Sequence, residues 1–141
     1  MEERLSAALH GTARIWRQAL DKRLKHLGIG QSGWMTIAMV AKTPGPLSQR
    51  ALADLVGVEG PSMVAMLDRL ERDGFVTRAP SATDRRVKQV HLTDAGRTVY
   101  DEVRKVAHDF RTGLMDGLDA QQLAAATTLL ETLRRRIEDG L

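Results

Sequence analysis

The sequence predicts a mainly α-helical chain with a small β-hairpin wing, a winged helix-turn-helix flanked by dimerisation helices. Three observations predict it. Residues 47–74 hold two short helical patterns, each with its own start and stop signal. Behind them, two extended runs, Phe75–Ala79 and Val87–Leu92, bracket the charged segment Pro80-Ser81-Ala82-Thr83-Asp84-Arg85-Arg86. On either side, longer stretches repeat apolar residues at three- and four-residue steps, the spacing of one helical face.

The elements follow in order. Residues ~4–27 form an amphipathic helix on Leu5, Leu9, Ala13, Trp16, Leu20, Leu24 and Leu27, stopped by Gly28 and Gly30. Gln31–Lys42 is a second helix, and Thr43-Pro44-Gly45-Pro46 breaks the chain. Ser48 is an N-cap, because its hydroxyl can accept from the free amides of a first turn. Leu52, Leu55 and Val56 form that helix's inner face, and Gly57 supplies a left-handed exit. Pro61 opens the next helix, preorganised and losing no needed amide. Val64, Leu67 and Leu70 are expected to point inward, Asp68/Arg72 and Arg69/Asp73 to pair on the wet side, and Gly74 to end the helix. Thr93 caps a long helix striped by Val99, Val103, Val106, Phe110 and Leu114. Asp119 with Gln122 resembles a capping box for a last helix carrying Leu123, Ala126, Leu129, Leu130, Leu133 and Ile137. The expected total is six helices and one hairpin.

A length of 141 residues suits one domain, residues 1–141, with a real core. Within it, 31–99 is the expected winged lobe, and 1–30 with 100–141 the dimerisation helices. The middle module is too small to cover three long apolar stripes, so a homodimer is expected; a monomeric bundle is the alternative. Hydrophobic residues at 43% and charged at 28% are an ordinary soluble globular composition. No run approaches the ~20 apolar residues that span a bilayer, and Met1-Glu2-Glu3-Arg4 lacks a signal peptide's basic start. A cytoplasmic location without membrane contact is expected. Zero cysteines exclude disulfides, thiolate metal sites and cysteine nucleophiles.

Net charge is +3, distributed as +3 over residues 1–30, +2 over 31–100 and −2 over 101–141. That balance alone says little about nucleic acid. Enzyme signatures are missing. His10, His26, His91 and His108 share no metal-ligand spacing, and no H-E-x-x-H, G-x-S-x-G or P-loop occurs. No catalytic residue, metal site or cofactor is expected.

Two constellations remain. With Val64, Leu67 and Leu70 inward, the second short helix presents Ser62, Ala65, Met66 and Arg69. Ser62 and Arg69 suit base edges or phosphate, while Ala65 and Met66 offer only apolar contact, for instance to a thymine methyl. The competing reading is a solvated face with Arg69 merely paired to Asp73. The hairpin tip Asp84-Arg85-Arg86, with Arg78 before it and Lys88 after, favours DNA. A cationic tip fits the narrow minor groove, and Asp84 can hold one arginine while the other reaches in. Separately, Arg14, Trp16, Arg17 and Trp34 can meet an aromatic acid with guanidinium groups and a flat wall, or be core tryptophans beside surface arginines.

Arg14-Ile15-Trp16-Arg17, Gln31-x-x-Trp34, Leu52-Ala53-x-x-Val56-Gly57-Val58-Glu59-x-Pro61-Ser62 and Leu67-Asp68-x-Leu70-Glu71 resemble the MarR family of bacterial regulators, most closely its SlyA-like branch. Gly74-x-Val76-x-Arg78, Asp84-Arg85-Arg86 and Leu92-Thr93 extend the resemblance over nearly the whole chain. It implies a homodimeric transcriptional regulator on a pseudo-palindromic double-stranded operator, with a helix in the major groove and wing arginines in the minor groove. The implied DNA set is Ser48, Gln49, Pro61, Ser62, Ala65, Met66, Arg69, Arg78, Asp84, Arg85, Arg86 and Lys88. The resemblance also implies a pocket for phenolic or aromatic carboxylate effectors, with Arg14, Arg17 and Trp34 at pocket-lining positions; Trp16 joins them from the residue reading above. One departure stands out: Ala65 occupies a position where SlyA-like members usually carry arginine. Two other classes compete: a broadly binding DNA-architectural or anti-silencing protein, and a winged-helix protein-interaction module without a DNA role.

Overall fold

The computed structural model describes residues 1–140. Among them are six α-helices, one 3-10 turn and three strands, two of which form the expected hairpin. Helix α1 (Glu2–Arg23) runs into a 3-10 turn at Lys25–Leu27, and α2 spans Gly30–Lys42. Then come β1 (Leu47–Ser48), α3 (Gln49–Val56), α4 (Gly60–Arg72), β2 (Val76–Pro80), β3 (Lys88–Leu92), α5 (Asp94–Met115) and α6 (Ala120–Glu138). None is long and apolar enough to cross a membrane.

The caps act where expected, whereas Leu55, expected on the inner face of α3, is 51% exposed and Ala53 is buried in its place. The Ala51 amide donates to Ser48 Oγ at 3.0 Å, capping α3, and Gly57 leaves it at φ 82°, a conformation that costs glycine no Cβ clash. Pro61 occupies the second position of α4 rather than the first, after Glu59 as N-cap. The Gly96 amide donates to Thr93 Oγ1 at 3.0 Å, and that hydroxyl donates to the Gly74 carbonyl at 2.6 Å. One side chain therefore caps α5 and ties it to the exit of α4. Gly96 is obligatory there, because a Cβ would overlap the Phe75 carbonyl oxygen.

The hairpin carries one strand more than expected. Strand β1 pairs antiparallel with β3, giving the order β1-β3-β2, with Leu47 opposite Val90 and Ser48 opposite Gln89. Strand β2 pairs with β3 from Val76↔Leu92 to Pro80↔Lys88. A two-residue strand has no periodicity of its own; it forms because Leu47 and Val90 can share the interior.

The chain divides into two compact units, Met1–His108 and the residues from Asp109 onward. In the first, the core gathers Ile37, Leu47, Leu52, Ala53, Met63, Met66, Leu67, Leu70, Val76 and Val90. It unites α2, α3, α4 and the sheet, and so sets the pose of α4 against the wing. The buried Thr36 hydroxyl donates to the Ser32 carbonyl at 2.7 Å, so its burial leaves no unpaired polar group. In the second unit, Asp119 Oδ1 accepts from the Gln121 amide at 2.7 Å and opens α6, which has no buried residue.

Candidate nucleic-acid interface

Helix α4 presents Pro61, Ser62, Val64, Ala65, Asp68, Arg69 and Arg72 to solvent and buries Met63, Met66, Leu67 and Leu70. The expected face is therefore turned. Val64, expected inside, is 40% exposed, and Met66, expected as an outward DNA contact, is 8% exposed and part of the core. Met66 packs against α2, its Sδ 3.5 Å from where a Gly33 Cβ would stand. The long flexible thioether adapts to that surface, and Val64 stays at the rim of the core.

The wing tip is built to hold one arginine and offer the other. Ser81 N donates to the Val87 carbonyl at 2.8 Å, and Val87 N donates to the Asp84 carbonyl at 3.0 Å, closing the loop. Asp84 Oδ1 accepts from the Arg86 amide at 3.0 Å and from Arg86 Nε at 3.2 Å, while Oδ2 accepts from Arg86 Nη2 at 3.3 Å. These side-chain and then backbone hydrogen bonds hold the Asp84 carboxyl below its usual range. Arg85 is exposed beside this pair, and Lys88 is exposed at the base of the wing.

The Arg78 side chain, expected on the DNA face, is only 17% exposed and points instead into the joint between α3, α4 and β2. Its Nη2 donates to Asp68 Oδ1 at 2.6 Å and Glu71 Oε1 at 2.9 Å, its Nε to Glu71 Oε1 at 3.2 Å, and its Nη1 to Gln49 Oε1 at 3.1 Å. Its backbone amide reaches Glu71 Oε2 at 3.2 Å. Burial opposes the Arg78 charge, but the bonds to Asp68 and Glu71 outweigh it and raise its pKa further. The same side-chain and backbone bonds from Arg78 hold Glu71 below its ordinary value. Asp68 and Glu71 thus join the site through Arg78, and the expected Asp68/Arg72 pair is replaced by Asp68–Arg78. Only a glutamate seven residues before an arginine across a tight turn hints at this clamp.

Two grooves flank Val64. One of about 430 Å³ lies between α3 and α4, lined by Gln49, Arg50, Ala53, Asp54, Val58, Glu59, Gly60 and Val64. The other, about 350 Å³, is lined by Gln49, Val64, Glu71, Arg78 and Lys88. Ser48 and Gln49 are half-buried at this edge, Ser48 as a cap and Gln49 as the acceptor from Arg78.

The aromatic group resolves toward packing at one member. Trp34 is 7% exposed, and its Nε1 donates to Asp21 Oδ1 at 3.1 Å, joining α2 to α1. Trp16 is half-buried, while Arg14 and Arg17 are exposed on α1. Among the described residues, no group of three His, Asp or Glu side chains is placed to hold a metal.

A family model described as MarR family matches residues 27–87. The structure of a transcriptional regulator, PA3341, is similar at 34% identity and a TM-score of 0.88, covering 96% of this chain and 98% of that one. A MarR transcriptional regulator from Methanosarcina mazei Go1 is similar at 22% identity and a TM-score of 0.84, with 99% of each chain covered. CouR from Rhodococcus jostii RHA1, solved bound to p-coumaroyl-CoA, is similar at 20% identity and a TM-score of 0.78, over 92% of this chain and 90% of that one.

Proposed function

The chain belongs to the MarR family of transcriptional regulators, and from that premise we propose that it binds a pseudo-palindromic operator as a homodimer and releases it on meeting an aromatic carboxylate. It is a DNA-binding regulator, not an enzyme. The observation that carries the operator reading is the wing tip: Asp84 fastens Arg86 and leaves Arg85 free to reach a minor groove. Beside it, Pro61, Ser62, Ala65 and Arg69 on α4 are exposed for the major groove.

The homodimer, with 1–30 and 100–141 as its interface and 31–99 as the DNA lobe, is supported by apolar side chains left in solvent. On α1, Leu5 is 40% and Ile15 57% exposed; on α6, Leu129 is 46% and Ile137 70%. Such stripes in a single chain are covered most economically by a second copy. The effector reading rests on exposed Arg14 and Arg17, whose guanidinium groups match a carboxylate bidentately. Half-buried Trp16 on the same helix supplies the aromatic surface, and buried Trp34 packs behind as its support. The resemblance to the SlyA-like branch supports the same positions.

The test is a salt titration of the full-length chain on a duplex selected from a random pool and on unselected duplexes. Selective binding with a steep salt slope is expected. Equal affinity for all duplexes replaces this reading with an architectural role, and no binding replaces it with a protein-interaction role.

A further inference from the structure

The outward stripe of α4 is apolar where base edges would be met. Pro61, Val64, Ala65 and Asp68 follow one another at the i, i+3, i+4, i+7 spacing of a single helical face, and all four are exposed. Asp68 ends the stripe, and its Oδ1 is taken by Arg78 Nη2 at 2.6 Å. Val64 lines both grooves beside α4 and so stands as the ridge between them. It adds little to the interior, which Met63, Leu67 and Leu70 fill at 1%, 0% and 1% exposure.

We infer that this stripe reads thymine through its C5-methyl group, with Val64 as the specificity-determining residue; the inference rests on the sequence-specific DNA reading above. In the major groove, the thymine methyl is the base-edge group that an apolar side chain satisfies. The other edge groups are donors and acceptors, which lose water and gain no partner against valine or alanine. A thymine at that position is favoured by burial of its methyl, and a guanine or cytosine edge is disfavoured by unmet hydrogen bonds. Valine suits the task because its branched χ1 is stiff, so little side-chain freedom is lost on contact. The hollows on either side let the ridge enter a groove without displacing a neighbour.

The experiment uses the full-length chain and a duplex selected from a random pool, with thymine replaced by uracil one position at a time. Uracil keeps every hydrogen-bonding edge and removes only the methyl. Binding is expected to weaken about fourfold at one or two positions in each half-site, the effect of one unburied methyl. Val64→Ala should lose that sensitivity at the same positions, with an unchanged circular dichroism spectrum and thermal midpoint. Val64→Asn should move the selected base there from thymine toward adenine, whose N6 and N7 an asparagine side chain pairs. A selected operator that tolerates uracil everywhere overturns the thymine inference and leaves sequence-specific binding standing. Uracil penalties undiminished in Val64→Ala overturn the role of Val64. Failure to select any sequence overturns both readings.

Discussion

Arg78 holds Glu71 with both ends of its residue: Nη2 and Nε reach Oε1 at 2.9 Å and 3.2 Å, and the backbone amide reaches Oε2 at 3.2 Å. The bonds cross from β2, the first strand of the wing, to the last turn of α4. The same guanidinium binds Asp68 and Gln49, so wing, α4 and α3 meet at one charge. Two carboxylates on α4 are thereby neutralised in part, and the wing is set at a definite angle to that helix. Arg78 is thus a positioning residue for the wing.

Arg78→Ala should therefore destabilise the lobe by about 1–2 kcal/mol, the low end for hydrogen bonds between charged groups because Asp68 and Glu71 are partly exposed. It should also weaken binding to every duplex sequence, because Asp68 and Glu71 are left uncompensated near phosphate. Arg78→Lys keeps the charge but not the planar fork, and should recover part of each loss. Urea unfolding with parallel anisotropy titrations checks both; wild-type values for Arg78→Ala would overturn the clamp.

Acid should loosen this joint in a defined window. The Glu71 pKa is lowered in the folded chain from its ordinary value of 4.5. Its contribution to stability is thus fully present above the ordinary value and is lost as pH falls through the lowered one. Glu71→Gln lacks that contribution at every pH. The gap in urea midpoint between wild type and Glu71→Gln should be constant down to about pH 5 and narrow below it. A gap independent of pH down to the acid transition would show that ionised Glu71 contributes nothing.

The wing arginines should matter to DNA and not to folding. Arg85→Ala and Arg86→Ala are each expected to weaken operator binding by about 1–3 kcal/mol, with thermal midpoints unchanged because both side chains are exposed. Asp84→Ala should weaken binding less than Arg86→Ala, since it removes the fastening and leaves the cation. Wild-type affinity in the double arginine variant would remove the wing from the interface.

The turned face of α4 has a direct signature in stability. Met66→Ala should cost about 2–4 kcal/mol, as for a large side chain removed from a packed core, and Val64→Ala should stay within about 0.5 kcal/mol. Chemical denaturation of the two variants checks this. The reverse order would return Val64 to the interior.

Deletion of residues 119–141 should produce an aggregating or unfolded chain, because it removes α6 and its share of the proposed dimer interface. For the intact chain, the thermal midpoint should rise with protein concentration, as mass action requires when folding and association are linked. Sedimentation and calorimetry read both. A monomeric, DNA-binding truncation product would move the interface elsewhere.

Much of the architecture was legible in the residues because its determinants are local. The caps at Ser48, Thr93 and Asp119 satisfy amides within three residues of themselves, and Gly57 and Gly74 adopt left-handed exits that few other residues tolerate. The Asp84–Arg86 fastening spans two residues and was equally readable. Three features were decided only in three dimensions. Helical periodicity sets the spacing of a buried face but not its phase, and packing of α4 on α2, thirty-odd residues earlier in the chain, buried Met63 and Met66 rather than Val64. Strand β1 exists because Val90 offers it an edge some forty residues away. Arg78 reads as a free cation in the sequence, yet the fold carries Asp68, Glu71 and Gln49 to it from two other helices. A charge takes its role from the partners that tertiary packing brings within reach.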